Sequence, residues 1–172
     1  MKTKAILPII LPVILSIIPA LCFAQNAMIK LDAMGRELPD SATEWAMVKD
    51  PVKDLIWEIK TDDGSIHDKN NFYSWNTHDK DFLKKLNEEK FGGFSDWRLP
   101  EETELEGLVD RDKEQPPRIN EEYFPQTSPN VHLGWSLCQD GSVNVSKINF
   151  GPKPIIKKRT FSVRAVRGEF KE

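Results

Sequence analysis

Apolar and polar positions divide the chain into one leading apolar run and a body of short, interrupted segments. Residues 5–21 are apolar, lie behind Lys2 and Lys4, and end at Cys22-Phe23-Ala24, the order of a secretory signal peptide with its small-x-small cleavage site. The run falls short of the roughly 20 residues that a membrane span needs and is broken by Pro8, Pro12 and Pro19. Removal after Ala24 is therefore expected, with Gln25 as the first mature residue. Beyond it, Ile29 and Leu31 read as an edge strand entering a turn at Gly35 and Pro39. The apolar stretches Trp45-Ala46-Met47-Val48 and Leu55-Ile56-Trp57-Glu58-Ile59 flank a five-residue connector, Asp50 to Asp54, of the hairpin kind. Residues 60–71 are polar and without period, a loop. Thr77 is placed to cap a helix over about 79–89, with Phe82, Leu83 and Leu86 on one face and Gly92-Gly93 at its end.

A second helix is predicted from Pro100, with Glu101, Glu102 and Glu104 in its first turns, where negative charge suits the helix dipole, and Leu105, Leu108 and Val109 on its buried stripe. Residues 110–129 hold several prolines and read as irregular. Residues 133–138 and 143–150 around Asp140-Gly141 give a hairpin, and 160–166 alternate as a last half-buried strand. Strands at both ends with helices between them predict an α+β domain of antiparallel sheets and two short helices. A single domain over residues 25–172, about 150 residues, is long enough to bury its own core.

Charge and cysteine content narrow the classes. The chain carries 24 Lys+Arg against 27 Asp+Glu, and losing Lys2 and Lys4 with the leader deepens the net charge from −3 to −5. That balance argues against nucleic acid as a partner. Cleavage removes Cys22, on which lipidation is disfavoured by the bulky Leu21, and leaves Cys138 alone. No intramolecular disulfide is then expected despite export to an oxidising compartment, so stability must come from packing.

Five tryptophans are a heavy aromatic load. Trp45, Trp57 and Trp97 sit in apolar stretches and read as core, each indole N–H bonded locally. Trp75 and Trp135 adjoin polar loops and are ligand-binding candidates, because an exposed aromatic face stacks on a sugar ring; rim packing is the structural alternative. Asp96 and Arg98 flank Trp97 as a polar clamp, forming with Pro100 a structural motif that holds the turn. Residues 61–71 are dense in oxygen donors that suit Ca²⁺, yet lack the order of an EF-hand, so a solvated loop is expected and no cofactor. His67, His78 and His132 have no paired spacing for a metal. No nucleophile-base order or phosphate loop stands out, which leaves no catalytic residues to name. Lys157, Lys158 and Arg159, with Lys153 before them and continued by Arg164 and Arg167, form a basic run that reads either as solvated loop or as a site for sulfated glycan or another polyanion.

Several segments together carry a resemblance: residues 40–50, Leu55-Ile56-Trp57-Glu58-Ile59-Lys60-Thr61, Phe72-Tyr73-Ser74-Trp75, Gly93-Phe94-Ser95-Asp96-Trp97-Arg98-Leu99-Pro100 and Phe161-Ser162-Val163-Arg164-Ala165-Val166-Arg167-Gly168. They resemble the Lcl C-terminal domain family, named for the end of a bacterial collagen-like surface adhesin. The resemblance implies a C-type-lectin-like fold shared with formylglycine-generating enzymes, and a periplasmic, secreted or cell-surface location. It also implies cysteines elsewhere in the family where this chain has Met47 and Gly92. Formylglycine generation needs paired reactive cysteines, which one mature cysteine cannot supply. The expectation is an exported, non-catalytic binding or adhesion module for a glycan or protein surface. The rivals are an envelope enzyme with an unrecognised site and a structural envelope subunit.

Overall fold

The computed structural model describes residues 27–74, 79–115, 117–127, 135–137, 143–145 and 160–169. In chain order the strands are β1 (Ile29–Leu31), β2 (Met47–Asp50), β3 (Leu55–Glu58) and β4 (Tyr73–Ser74). A π-helical stretch, Asp79–Leu83, runs into α1 (Lys84–Glu88), and a 3₁₀ turn at Phe91–Gly93 precedes α2 (Glu102–Glu106). β5 (Trp135–Leu137), β6 (Val143–Val145), β7 (Thr160–Phe161) and β8 (Val166–Arg167) follow. The main sheet is antiparallel and four-stranded, in the order β1-β2-β3-β8; β4 pairs with β7 and β5 with β6.

Both faces of the main sheet are covered, and the strand period of two sorts its side chains between them. Val48, Leu55, Trp57 and Val166 pack with Leu105 and Leu108 from the α2 side and with Ile119 and Phe124. Leu31, Met47, Ile56 and Ala165 pack on the other face with Phe82 and Leu86 from the α1 side and with Trp97 and Leu99. All four residues of β3 are consequently buried. The β2–β3 turn is held by Asp50, whose Oδ1 accepts the N–H groups of Val52 and Lys53, both at 3.0 Å. β1 is the outer strand of the sheet, and Leu38 N–H donates to its Lys30 carbonyl at 2.8 Å.

Most predicted elements are present, with shifted ends. Phe82 and Leu86 are buried as expected, while Thr77 lies outside the described residues. The second helix begins at Glu102 behind an extended Glu101 N-cap, so Pro100 precedes the cap instead of opening the helix. The hairpin around Asp140-Gly141 is seen in its central rungs, Trp135 opposite Val145 and Leu137 opposite Val143. The last strand alternates as read, Val163 and Ala165 being buried, but it is split into β7 and β8. β7 pairs with β4 while β8 pairs with β3, and between them Ala165 N–H donates to the Glu58 carboxylate at 3.1 Å. No helix among the described residues is long and apolar enough to cross a membrane.

Candidate functional site

Two charged assemblies and one loop organise the polar side of the domain. The first is built on the Trp-Arg-Leu-Pro turn. Trp97 is 3% exposed, with its indole N–H donating to Phe91 O and its backbone N–H donating to Asn87 Oδ1, at 2.9 and 2.7 Å. Arg98 donates to both carboxylate oxygens of Glu104, at 2.8 and 2.7 Å, and to the Gly168 carbonyl at 2.7 Å. Glu104 Oε2 also accepts Glu101 N–H at 2.6 Å, completing a capping box. The buried Glu104 carboxylate thus ties the turn to the start of α2, and Arg98 in turn holds the Gly168 carbonyl after β8. Asp96 forms its own bidentate pair with Arg167, at 2.8 and 3.0 Å, whose guanidinium lies 3.9 Å over the Phe94 ring. The hydrogen bonds from Arg167 hold the Asp96 carboxyl below its ordinary value, and the bonds to Glu104 raise Arg98.

The second assembly lies where β3 meets residues 60–68. Glu58 is fully buried; its Oε1 is 2.9 Å from both Lys60 Nζ and His67 Nδ1. Burial pushes the carboxyl up, but the Lys60 ammonium together with His67 outweighs it and leaves Glu58 below its ordinary value. Lys60 is lowered too, by burial, against the opposing pull of Glu58. Arg164 donates to the Glu58 carbonyl at 2.7 Å and to Thr127 Oγ1 at 3.1 Å, over the Phe124 ring, and burial brings it down to about 10. Tyr73 is raised to about 12 by burial and by Glu58. His67 stacks on Phe91, ring centroids 4.3 Å apart.

Residues 61–71 are more ordered than the solvated loop expected from their composition. Asp68 is buried, and its two oxygens accept the N–H groups of Gly64 and Asn70, each at 2.7 Å. Asp63 accepts from Thr61 Oγ1 and Ser65 N–H, which lowers its carboxyl to about 2. These carboxylates accept their hydrogen bonds from donors of the loop itself. Among the described residues no group of three His, Cys, Asp or Glu is placed to hold a metal.

Residues 46–167 match the family model of the Lcl C-terminal domain. The chain belongs to the Lcl C-terminal domain family. No curated protein and no solved structure matches it. The matched span of this Lcl C-terminal domain runs from the residue before β2 to the end of β8 and takes in both charged assemblies. The positions where the resemblance implied cysteines are neighbours: a Cβ on Gly92 would lie 2.5 Å from Met47 Sδ. Here the thioether fills that space.

Of the motif residues, Asp96 pairs with Arg167 and Arg98 with Glu104, and neither bonds the other. Glu104 corrects its reading as helix-start electrostatics alone, because packing of α2 against the sheet sinks it completely. Trp57 is core, but its indole N–H has no hydrogen-bond partner among the described residues, where a local bond was expected. Trp45 donates to Tyr123 O at 2.9 Å and carries Lys30 Nζ 4.0 Å over its ring. Trp75, Lys157, Lys158 and Arg159 lie outside the described residues, as does the side chain of Trp135. Glu58, Lys60, His67 and Arg164 form an assembly that the sequence reading passed over. Its trace was present, since Glu58 and Lys60 alternate with Trp57 and Ile59 in the most apolar strand.

Proposed function

We propose that this protein is an exported, non-catalytic binding or adhesion module of C-type-lectin-like architecture, acting in the periplasm or at the bacterial surface on a glycan or protein surface. The observation that carries this reading is membership of the Lcl C-terminal domain family across most of the mature chain. The clasp adds support: Asp96, Trp97, Arg98 and Glu104 are engaged in holding the turn, α2 and β8 together. A scaffold stiffened in this way serves to present loops, which is where binding function concentrates. Trp75 and Trp135 remain the aromatic ligand candidates, and Lys157, Lys158 and Arg159 the polyanion candidates. Neither a cofactor nor Ca²⁺ is required in this reading.

Two measurements test it. Mass spectrometry of the exported protein is expected to find Gln25 at its N-terminus, and a retained Met1 or a lipid on Cys22 would defeat the leader assignment. The purified mature domain, applied to a broad glycan array and to immobilised host and bacterial surface proteins, is expected to be retained with and without a Ca²⁺ chelator. Absence of retention on every surface would refute the binding role.

A further inference from the structure

Asp63-Gly64 is a sequence at which a peptide chain can rearrange, because glycine has no Cβ to crowd the approach of its nitrogen to the neighbouring side-chain carboxyl. Both residues are exposed, and a Cβ placed on Gly64 would meet nothing within 4 Å, so water reaches this bond freely. The chemistry has two requirements. The Gly64 nitrogen must give up its proton, and the Asp63 carboxyl must be protonated so that its hydroxyl can leave as water. The closed loop withholds both.

Gly64 N–H donates to Asp68 Oδ2 at 2.7 Å, and Asp68 is itself buried and held through Oδ1 by Asn70 N–H. A carboxylate facing the N–H opposes its deprotonation, since the nitrogen anion would lie against a second negative charge. Asp63 Oδ1 accepts Thr61 Oγ1 at 2.7 Å and Ser65 N–H at 2.9 Å, the second bond closing an Asx turn. These bonds favour the ionised carboxyl and bring it from its ordinary 3.8 to about 2, which makes the protonated form roughly 60-fold scarcer at neutral pH. The ends of the loop are tied as well, Thr61 N–H donating to His67 O at 3.0 Å and Lys69 N–H to Thr61 O at 2.9 Å.

We propose that Asp63-Gly64 is a latent site of backbone rearrangement, restrained by Asp68 and Thr61 while the loop is closed and reactive once it opens. In the open loop the Gly64 nitrogen bonds to Asp63 Cγ, its proton and the carboxyl hydroxyl leave as one water molecule, and a succinimide ring forms. Water then adds at either ring carbonyl. Addition at Cγ breaks the new bond and returns aspartate; addition at the main-chain carbonyl breaks the original peptide bond and routes the chain through Cγ, as isoaspartate. That product lengthens the main chain by one methylene and takes the acceptor of Thr61 and Ser65 out of its place. The loop that sets His67 against Glu58 then cannot close on its former bonds, so the rearrangement records an opening in the backbone itself.

The test ages the full mature domain in warm, mildly acidic buffer, beside the same domain unfolded in guanidinium chloride, and reads isoaspartate at position 63 by peptide mapping with electron-transfer fragmentation. The unfolded chain is expected to accumulate it at least about tenfold faster than the folded domain. Thr61→Val, which removes one hydroxyl donor at constant shape, is expected to raise the folded-state rate several-fold with the melting temperature unchanged, and Asp68→Asn to raise it further. Should Asp68→Asn fail to fold, Thr61→Val decides. Equal rates in the folded and unfolded parent overturn the restraint, and an unfolded chain that forms no isoaspartate at 63 overturns the site. A slow parent whose folded variants are equally slow also overturns the proposal, because Asp68 and Thr61 are then not what holds the bond.

Discussion

Replacing Glu104 by Ala tests whether one buried carboxylate holds three parts of the domain together. The substitution removes the acceptor for both Arg98 bonds and for Glu101 N–H, and so opens the capping box. Removing one partner of a fully buried pair costs about 3–5 kcal/mol. The Arg98 side chain is 31% exposed and recovers some hydration, which reduces the expected loss to about 2–4 kcal/mol. The lost cap is contained within that figure, since replacing a capping residue costs about 0.5–2 kcal/mol. Against a total stability of about 5–15 kcal/mol this is a large fraction. For a domain of this size each kcal/mol lowers the melting temperature by about 2–4 °C, giving a fall of roughly 4–16 °C. Urea and thermal melts of the mature domain measure it, with Glu102→Gln in the same helical turn as control, expected within about 0.5 kcal/mol of the parent. A double-mutant cycle with Arg98→Ala then isolates the pair. If Glu104→Ala is as stable as Glu102→Gln, the carboxylate does not join the turn, the helix and β8, and the account of the clasp is wrong.

Trp97→Ala is expected to cost about 3–5 kcal/mol by emptying a buried aromatic site, seen as a lower melting temperature instead of a selective binding defect. Gly92→Ala is expected to cost roughly 2–4 kcal/mol in a urea melt, because φ is +68° and the new Cβ meets Met47 Sδ; a companion Met47→Ala should recover part of that loss. Glu58, Asp63 and Asp96 all have lowered carboxyl values in the fold, so the stability they give is fully present above the unfolded values of about 3.9–4.3 and is lost as pH falls through the folded ones. Urea midpoints should accordingly hold from pH 7 to about 5 and decline steeply below about 4, and a flat profile down to pH 2 contradicts the assignment. Replacing Lys157, Lys158 and Arg159 together by Ala is expected to abolish low-salt retention on heparin with the melting temperature unchanged, since polyanion binding of this kind acts over a Debye length of about 8 Å and is screened by salt; flow-through by the parent domain refutes the polyanion role of this run.

The sequence by itself determined the local elements. Alternation and turn chemistry placed β2, β3 and the Asp50 to Asp54 connector, and the stripe of Leu105 and Leu108 placed the buried face of α2, because these depend only on neighbours along the chain. The turn around Trp97 and the helix after it were also legible, but not that Asp96 pairs with Arg167 and Arg98 with Glu104. What only the tertiary structure decided is where charge is buried. Glu58, Lys60 and Glu104 are buried although charged, because the sheet is covered on both faces and the polar phase of β3 is packed as tightly as its apolar phase. The charge partners are near in sequence, Lys60 and His67 for Glu58 and Arg98 for Glu104, but the contacts that close each assembly come from far away: Arg164 and Ala165 reach Glu58 across 106 and 107 residues, and Gly168 reaches Arg98 across 70. A buried charge is stable only when its hydrogen bonds are satisfied; here the neighbouring partners are completed by the closing strand, whose arrival beside Glu58 no local pattern encodes.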